Sequence, residues 1–200
     1  MSDQTQRIRE MRLKDRYRFA EGWMTDAKQQ QQEERVFSAF FSGYVAFVAN
    51  SFQVAADCGH KFDNESDEGF EISAIKFAVE ERSKKINEFI ISESGKAATE
   101  LLRLREVPEG EQFQMIGSRN DSDLAFATDF LFGLWSPGRA MRKSPTEIKN
   151  QAQYLSVVFR KIRNRLFHGE KMRDPEGTDA DLLKCVNPIL FGVVEALPIY

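Results

Sequence analysis

One short string in this chain combines the two residue types best suited to handling a phosphate and a proton together. Arg163-Asn164-Arg165-Leu166-Phe167-His168-Gly169 holds one of only two histidines among 200 residues. It lies in the densest basic run, with Arg160, Lys161, Arg163, Arg165, His168, Lys171 and Arg173, in a chain whose net charge is −3. Histidine exchanges a proton readily near neutral pH. Arginine stays charged and presents a planar fork of donors that fits a phosphate. Together they suffice to cleave RNA without a metal. A base removes the proton of a 2′-OH, the oxygen attacks the adjacent phosphorus, and cationic donors stabilise the crowded phosphorane. Arg163 and His168 are therefore the candidate catalytic pair, and Arg160, Lys161, Arg165 and Lys171 the candidate phosphate-binding residues.

Five residues on an ideal helix place Arg163 and His168 about 140° apart, whereas Asn164 and His168 are about 40° apart. The pair converges if the last turn loosens before Gly169, or if Arg163 reaches round. A second copy of the chain across a two-fold axis would also complete the site. With one such histidine per chain, a dimer supplies both a base and an acid. A purely structural account competes with this one. His and Arg offset the dipole in a helix's last turn, and a glycine after them is a common stop.

The element that carries the string has a clear start. Ser144 is an N-cap, Pro145 occupies the first helical position and Glu147 the third. Its apolar stripe runs through Ile148, Ala152, Leu155, Val158, Phe159, Ile162 and Leu166 to a cap at Gly169. The strongest pattern elsewhere spans Glu33 to about Val54, where Val36, Phe37, Phe40, Phe41, Tyr44, Phe47, Val48 and Ser51 recur at helical steps. Being apolar on several faces, this helix belongs in the middle of a bundle. Asn50, near its end, is a polar group that needs partners, as a cross-link or as a site residue.

The periodicity predicts one helix over 70–91, with Ile72, Ile75, Phe77, Val79, Ile86, Phe89 and Ile90 inward and Glu80, Glu81, Arg82, Lys84 and Lys85 outward. Further helices are expected over 96–105 and 121–134. A last one opens at Thr178 or Asp179 and should kink or break at Pro188. Residues 1–27, with Arg7, Arg9, Arg12, Lys14, Arg16 and Arg18, read as a short helix or mobile arm. The run Gln29–Gln32 leads into the next helix. Residues 57–69 read as an exposed acidic loop in which Cys58 and His60 lack a second ligand pair for a metal. Only Gln112 to Ile116 hints at a strand. The fold class is thus all-α, an up-and-down bundle of four to five helices over 33–200 preceded by a basic arm or helix over 1–32.

Composition narrows the function classes. The chain is 42% hydrophobic and 30% charged with 17 phenylalanines, enough to bury a Phe-built core. Two cysteines fit a reducing compartment rather than a disulfide framework. No secretory h-region opens the chain, and no stretch is read as reaching the ~18 apolar residues of a membrane span. A cytoplasmic protein with no membrane contact is expected. Phosphate-binding GxxxxGK[ST], GxGxxG, nucleophile-elbow and HExxH motifs are missing from the sequence. The net charge argues against a protein that coats nucleic acid, although 7–18 and 160–173 are locally basic.

Arg163-Asn164 followed by Leu166-Phe167-His168-Gly169, late in an all-α chain, resembles the Arg-x(4–6)-His motif of the HEPN superfamily (higher eukaryotes and prokaryotes nucleotide-binding). The aromatic stretch Phe40-Phe41-Ser42-Gly43-Tyr44-Val45-Ala46-Phe47…Asn50 is similar to that family's first core helix. The start Asp179-Ala180-Asp181-Leu182-Leu183 is similar to its last. The resemblance spans roughly 33–197, and its specific part is the seven-residue string. It implies a bundle that dimerises so that two Arg–His motifs face one cleft. It further implies a metal-independent endoribonuclease of a toxin–antitoxin, abortive-infection or other antiviral system, needing no cofactor. His168 would be the acid/base, Arg163 the phosphate and transition-state ligand, and Asn164 the residue that positions them. RNA is the implied substrate, and an antitoxin such as a nucleotidyltransferase is a compatible partner. Some members are only binding or dimerisation modules, so a non-catalytic nucleotide- or partner-binding role is the alternative.

Overall fold

The most apolar stretch of the sequence forms the helix on which most of the others pack. In the computed structural model this is α2, Val36–Asp57, preceded by α1, Asp3–Gln32. It is followed by α3, Asp67–Glu81, and α4, Ser83–Ile91. Helical backbone at 153, 155–160, 162–164 and 166 is termed α5. The last helix, α6, spans Thr178–Ala196. The structure describes residues 3–61, 67–92, 153, 155–160, 162–164, 166 and 178–198. All regular structure among them is α-helical, so the chain is an all-α helical bundle without a described β-sheet. The expected helices at 96–105 and 121–134, the Ser144 cap, the Gln112–Ile116 segment and Gly169 lie outside the described residues.

Packing explains why α2 is apolar all round. It meets α1, α3 and α6, and Phe40, Ala46, Phe47 and Val54 are wholly buried. Phe47 also packs edge-on against Phe159 of α5, with ring centroids 5.7 Å apart. Small residues let the helices approach. A Cβ on Gly43 would come within 2.8 Å of the Phe191 ring, and one on Gly192 within 2.0 Å of the Phe89 ring. Contrary to the sequence expectation about apolar stretches, α2 is long and apolar enough to cross a membrane. In this fold most of it is buried between neighbouring helices, which is where a core helix sits.

Three details depart from the sequence reading. The N-terminal segment is a 30-residue helix that turns at Glu34, whose φ of 59° reverses the chain before Val36. Tyr17, Ala20, Met24 and Ala27 repeat at helical spacing and are buried, a stripe hidden by the small size of its alanines. The helix expected over 70–91 is broken at Arg82, where φ is −101° and ψ 10°. Arg82 does not simply face out. It is half-buried and donates to the Pro198 carbonyl, tying the α3–α4 junction to the end of α6. Finally, of the kink or break expected at Pro188 the break does not occur, since α6 continues through it. Buried Val186, Asn187, Ile189, Leu190 and Phe191 flank the proline. Their burial, at ~1.5–3 kcal/mol per large apolar side chain, outweighs its ~3 kcal/mol cost.

Candidate functional site

The inner face of α5 is written by Leu155, Val158, Phe159 and Ile162, spaced three and four apart and all buried. Fixing that stripe in the core leaves Arg160, Arg163 and Asn164 half-buried at the margin. The Arg163 Nη1 donates to Asn164 Oδ1 at 2.8 Å. Its guanidinium carbon lies 5.9 Å from the centroid of the Tyr44 ring, within the ~6 Å at which a cation is attracted to an aromatic face. The bond to Asn164 and the Tyr44 ring both constrain this arginine.

Tyr44 comes from the buried side of α2, and its hydroxyl donates to Glu71 Oε1 of α3 at 2.7 Å. Its ionisation is pushed far above the ordinary 10.0, first by burial, then by the hydrogen bond and charge of Glu71. The guanidinium groups of Arg163 and Arg160 oppose this and do not overcome it. Tyr44 thus stays a neutral donor. An open cleft of about 700 Å³ surrounds this arrangement. Phe19 and Trp23 of α1 form one wall, edge to face with centroids 6.2 Å apart. Phe41, Val45, Val48 and Ala49 of α2 and Leu166 of α5 form the remaining apolar lining, and Tyr44, Glu71 and Arg163 are its polar groups. Phe19 is 60% exposed, a large ring left facing solvent at the cleft mouth.

Of the residues singled out in the sequence, Arg163 and Asn164 are brought together and Arg160 lies near enough to Tyr44 to act on its hydroxyl electrostatically. His168, Lys161, Arg165 and Lys171 lie outside the described residues. Sequence reasoning missed Glu71, Phe19 and Trp23 as neighbours of Arg163. The available signal was Tyr44, a hydroxyl in an otherwise apolar helix that had to find a partner.

The other polar candidates do not line this cleft. Asn50 is buried and its Nδ2 donates to the Val194 carbonyl at 3.2 Å, a cross-link from α2 to α6. Cys58 is exposed, and partial desolvation with nearby Glu81 and Asp57 pushes its thiol upward, against an activated nucleophile. His60 is not the exposed loop residue the sequence indicated. Its ring stacks on Phe77 at 4.3 Å, and Nε2 lies 3.1 Å from Ser73 Oγ. Among the described residues, no group of three or more His, Cys, Asp or Glu is placed to hold a metal ion. No family model matches this chain, and no curated protein or solved structure is significantly similar to it.

Proposed function

We propose that this protein is a metal-independent endoribonuclease of the HEPN type, acting in a microbial antiviral-defence or toxin–antitoxin system. The reading includes an up-and-down bundle, a basic N-terminal helix, and a cytoplasmic homodimer in which two copies complete one site. The observation that supports it is the placement of Arg163. It stands five residues before His168, bonded to Asn164, on the wall of an open cleft.

In the proposed reaction one His168 takes the proton of a ribose 2′-OH as the oxygen attacks phosphorus. The bond from phosphorus to the 5′ oxygen breaks, and the second copy's His168 protonates that leaving oxygen. The products are a 2′,3′-cyclic phosphate and a 5′-hydroxyl, and Arg163 stabilises the charge that builds on the phosphorane. Arg160, Lys161, Arg165 and Lys171 hold the flanking backbone. The test is cleavage of RNA by the purified protein in EDTA, beside the Arg163→Ala and His168→Ala variants. Both variants should be inactive, and activity unchanged in either removes the site.

The apolar walls of the cleft and the exposed Phe19 favour a second reading, a non-catalytic module that binds a nucleotide or a partner such as a nucleotidyltransferase antitoxin. It predicts binding that survives His168→Ala and no turnover of RNA.

A further inference from the structure

The cleft beside Arg163 is built unlike a simple phosphate site. A phosphate-only site would gather cations, whereas this one sets a carboxylate, Glu71, among aromatic rings. A carboxylate repels phosphate and accepts hydrogen bonds only. Its presence on the wall opposite in charge to Arg163 implies a ligand with an anionic end and a donor-rich end. An RNA nucleotide has that polarity, and its base supplies a flat apolar face for the exposed Phe19 ring.

The donor pattern narrows the base. Guanine carries two adjacent donors, N1–H and the N2 amine, on its Watson–Crick edge. Adenine and cytosine pair one amine with a bare ring nitrogen whose lone pair faces the carboxylate repulsively. Uracil offers a single N–H between two carbonyls. Only guanine therefore gives a carboxylate two parallel bonds. Glu71 Oε1 already accepts from Tyr44 Oη at 2.7 Å, and each carboxylate oxygen has capacity for more than one donor. The Tyr44 bond fixes the orientation of the carboxylate, so Tyr44 is a positioning residue. The volume of about 700 Å³ falls in the ~300–1,000 Å³ range of small-molecule sites.

We propose that this cleft is a guanine-selective base subsite for single-stranded RNA, in which Glu71 reads the donor edge of a base stacked on the exposed ring of Phe19. The inference rests on the reading of Arg163 as a ligand for the adjoining phosphate.

The test is equilibrium binding of the full-length protein to 2′-O-methyl uridine pentamers whose central base is guanine, hypoxanthine, adenine or uracil. The blocked 2′ oxygens prevent cleavage, so binding is read apart from turnover. The guanine strand should bind at least ~5-fold tighter than the adenine and uracil strands. Hypoxanthine, which lacks the N2 amine, should fall between. In Glu71→Gln the guanine preference should collapse toward adenine, whose donor–acceptor edge matches an amide. In Phe19→Ala all four strands should weaken about tenfold with their order kept. Because Phe19 is exposed, that variant keeps the test decisive even if Glu71→Gln misfolds. Equal affinity for the four strands, a preference unchanged in Glu71→Gln, or full affinity in Phe19→Ala overturns the proposal. Absent turnover of ordinary RNA with the guanine ranking intact would sink the nuclease reading alone.

Discussion

Tyr44 and Asn50 stand six residues apart on α2 and do opposite work. That spacing turns them about 120° from each other around the helix, so they face different neighbours. Asn50 points into the seam of α2 and α6, where its amide grips the Val194 carbonyl. Asn187 does the same from α6, donating to the Val36 carbonyl at 3.0 Å and to Gln31 Oε1 at 2.7 Å. These amides are buried, as Tyr44 itself is, and Asn50 borders a second cleft of about 470 Å³. What sets them apart is that they bond main-chain carbonyls of another helix. Tyr44 points the other way, toward Glu71 and Arg163, and its partners are side chains lining an open cleft. A buried amide bonded to backbone is a staple. A chain of charged and aromatic side chains on the wall of an open cleft, where a ligand can enter, is a site.

The contrast is broken most directly at the arginine. Arg163→Ala or His168→Ala should lower RNA cleavage by at least ~10²-fold, while the thermal midpoint of each variant moves by no more than a few degrees. A large loss of stability with activity retained would reverse the assignment of the two regions.

Asn187→Ala should show the complementary pattern. It removes two hydrogen bonds, yet it also removes a carbonyl oxygen that is buried with no partner among the described residues. The net destabilisation should be about 1–2 kcal/mol, a drop of ~2–8 °C in the melting midpoint, with RNA cleavage intact. Loss of cleavage at full stability would mean the seam belongs to the site.

Tyr44→Phe sharpens the boundary between the two regions. Losing the bond to Glu71 should cost about 1 kcal/mol at neutral pH. The pH dependence has a definite sign. The hydroxyl ionises well above 10.0 in the folded chain, so the unfolded chain releases this proton first. Its contribution is full below the unfolded value and is lost as pH rises toward the folded one. Wild type should therefore lose stability relative to Tyr44→Phe above pH 10.0, measured by urea midpoints between neutral and strongly alkaline pH. Parallel curves would show that Tyr44 is not held neutral by its surroundings.

Much of the fold was legible because burial writes itself as periodicity. The stripes of α2, α5 and α6 were readable from the spacing of their large apolar residues, and Leu155, Val158, Phe159 and Ile162 are buried as that spacing implies. The α1 stripe was not, since Ala20 and Ala27 carry little hydrophobic signal although they let helices approach closely. The break at Arg82 was equally invisible, and the carbonyl that Arg82 bonds lies 116 residues away.

For the candidate site the division is similar. By itself the sequence determined that Arg163, Asn164 and His168 share one string, since their order and spacing are covalent facts. It determined as well that α2 must be central, because an all-round apolar helix has nowhere else to go. Only the tertiary structure decided that Arg163 lies against the ring of Tyr44 and that Tyr44 binds Glu71, 27 residues along the chain. Carboxylates are plentiful in this sequence, and nothing in their order says which one a buried hydroxyl will meet. That choice follows from how α2, α3 and α5 pack, a many-body outcome of burying all three apolar stripes at once.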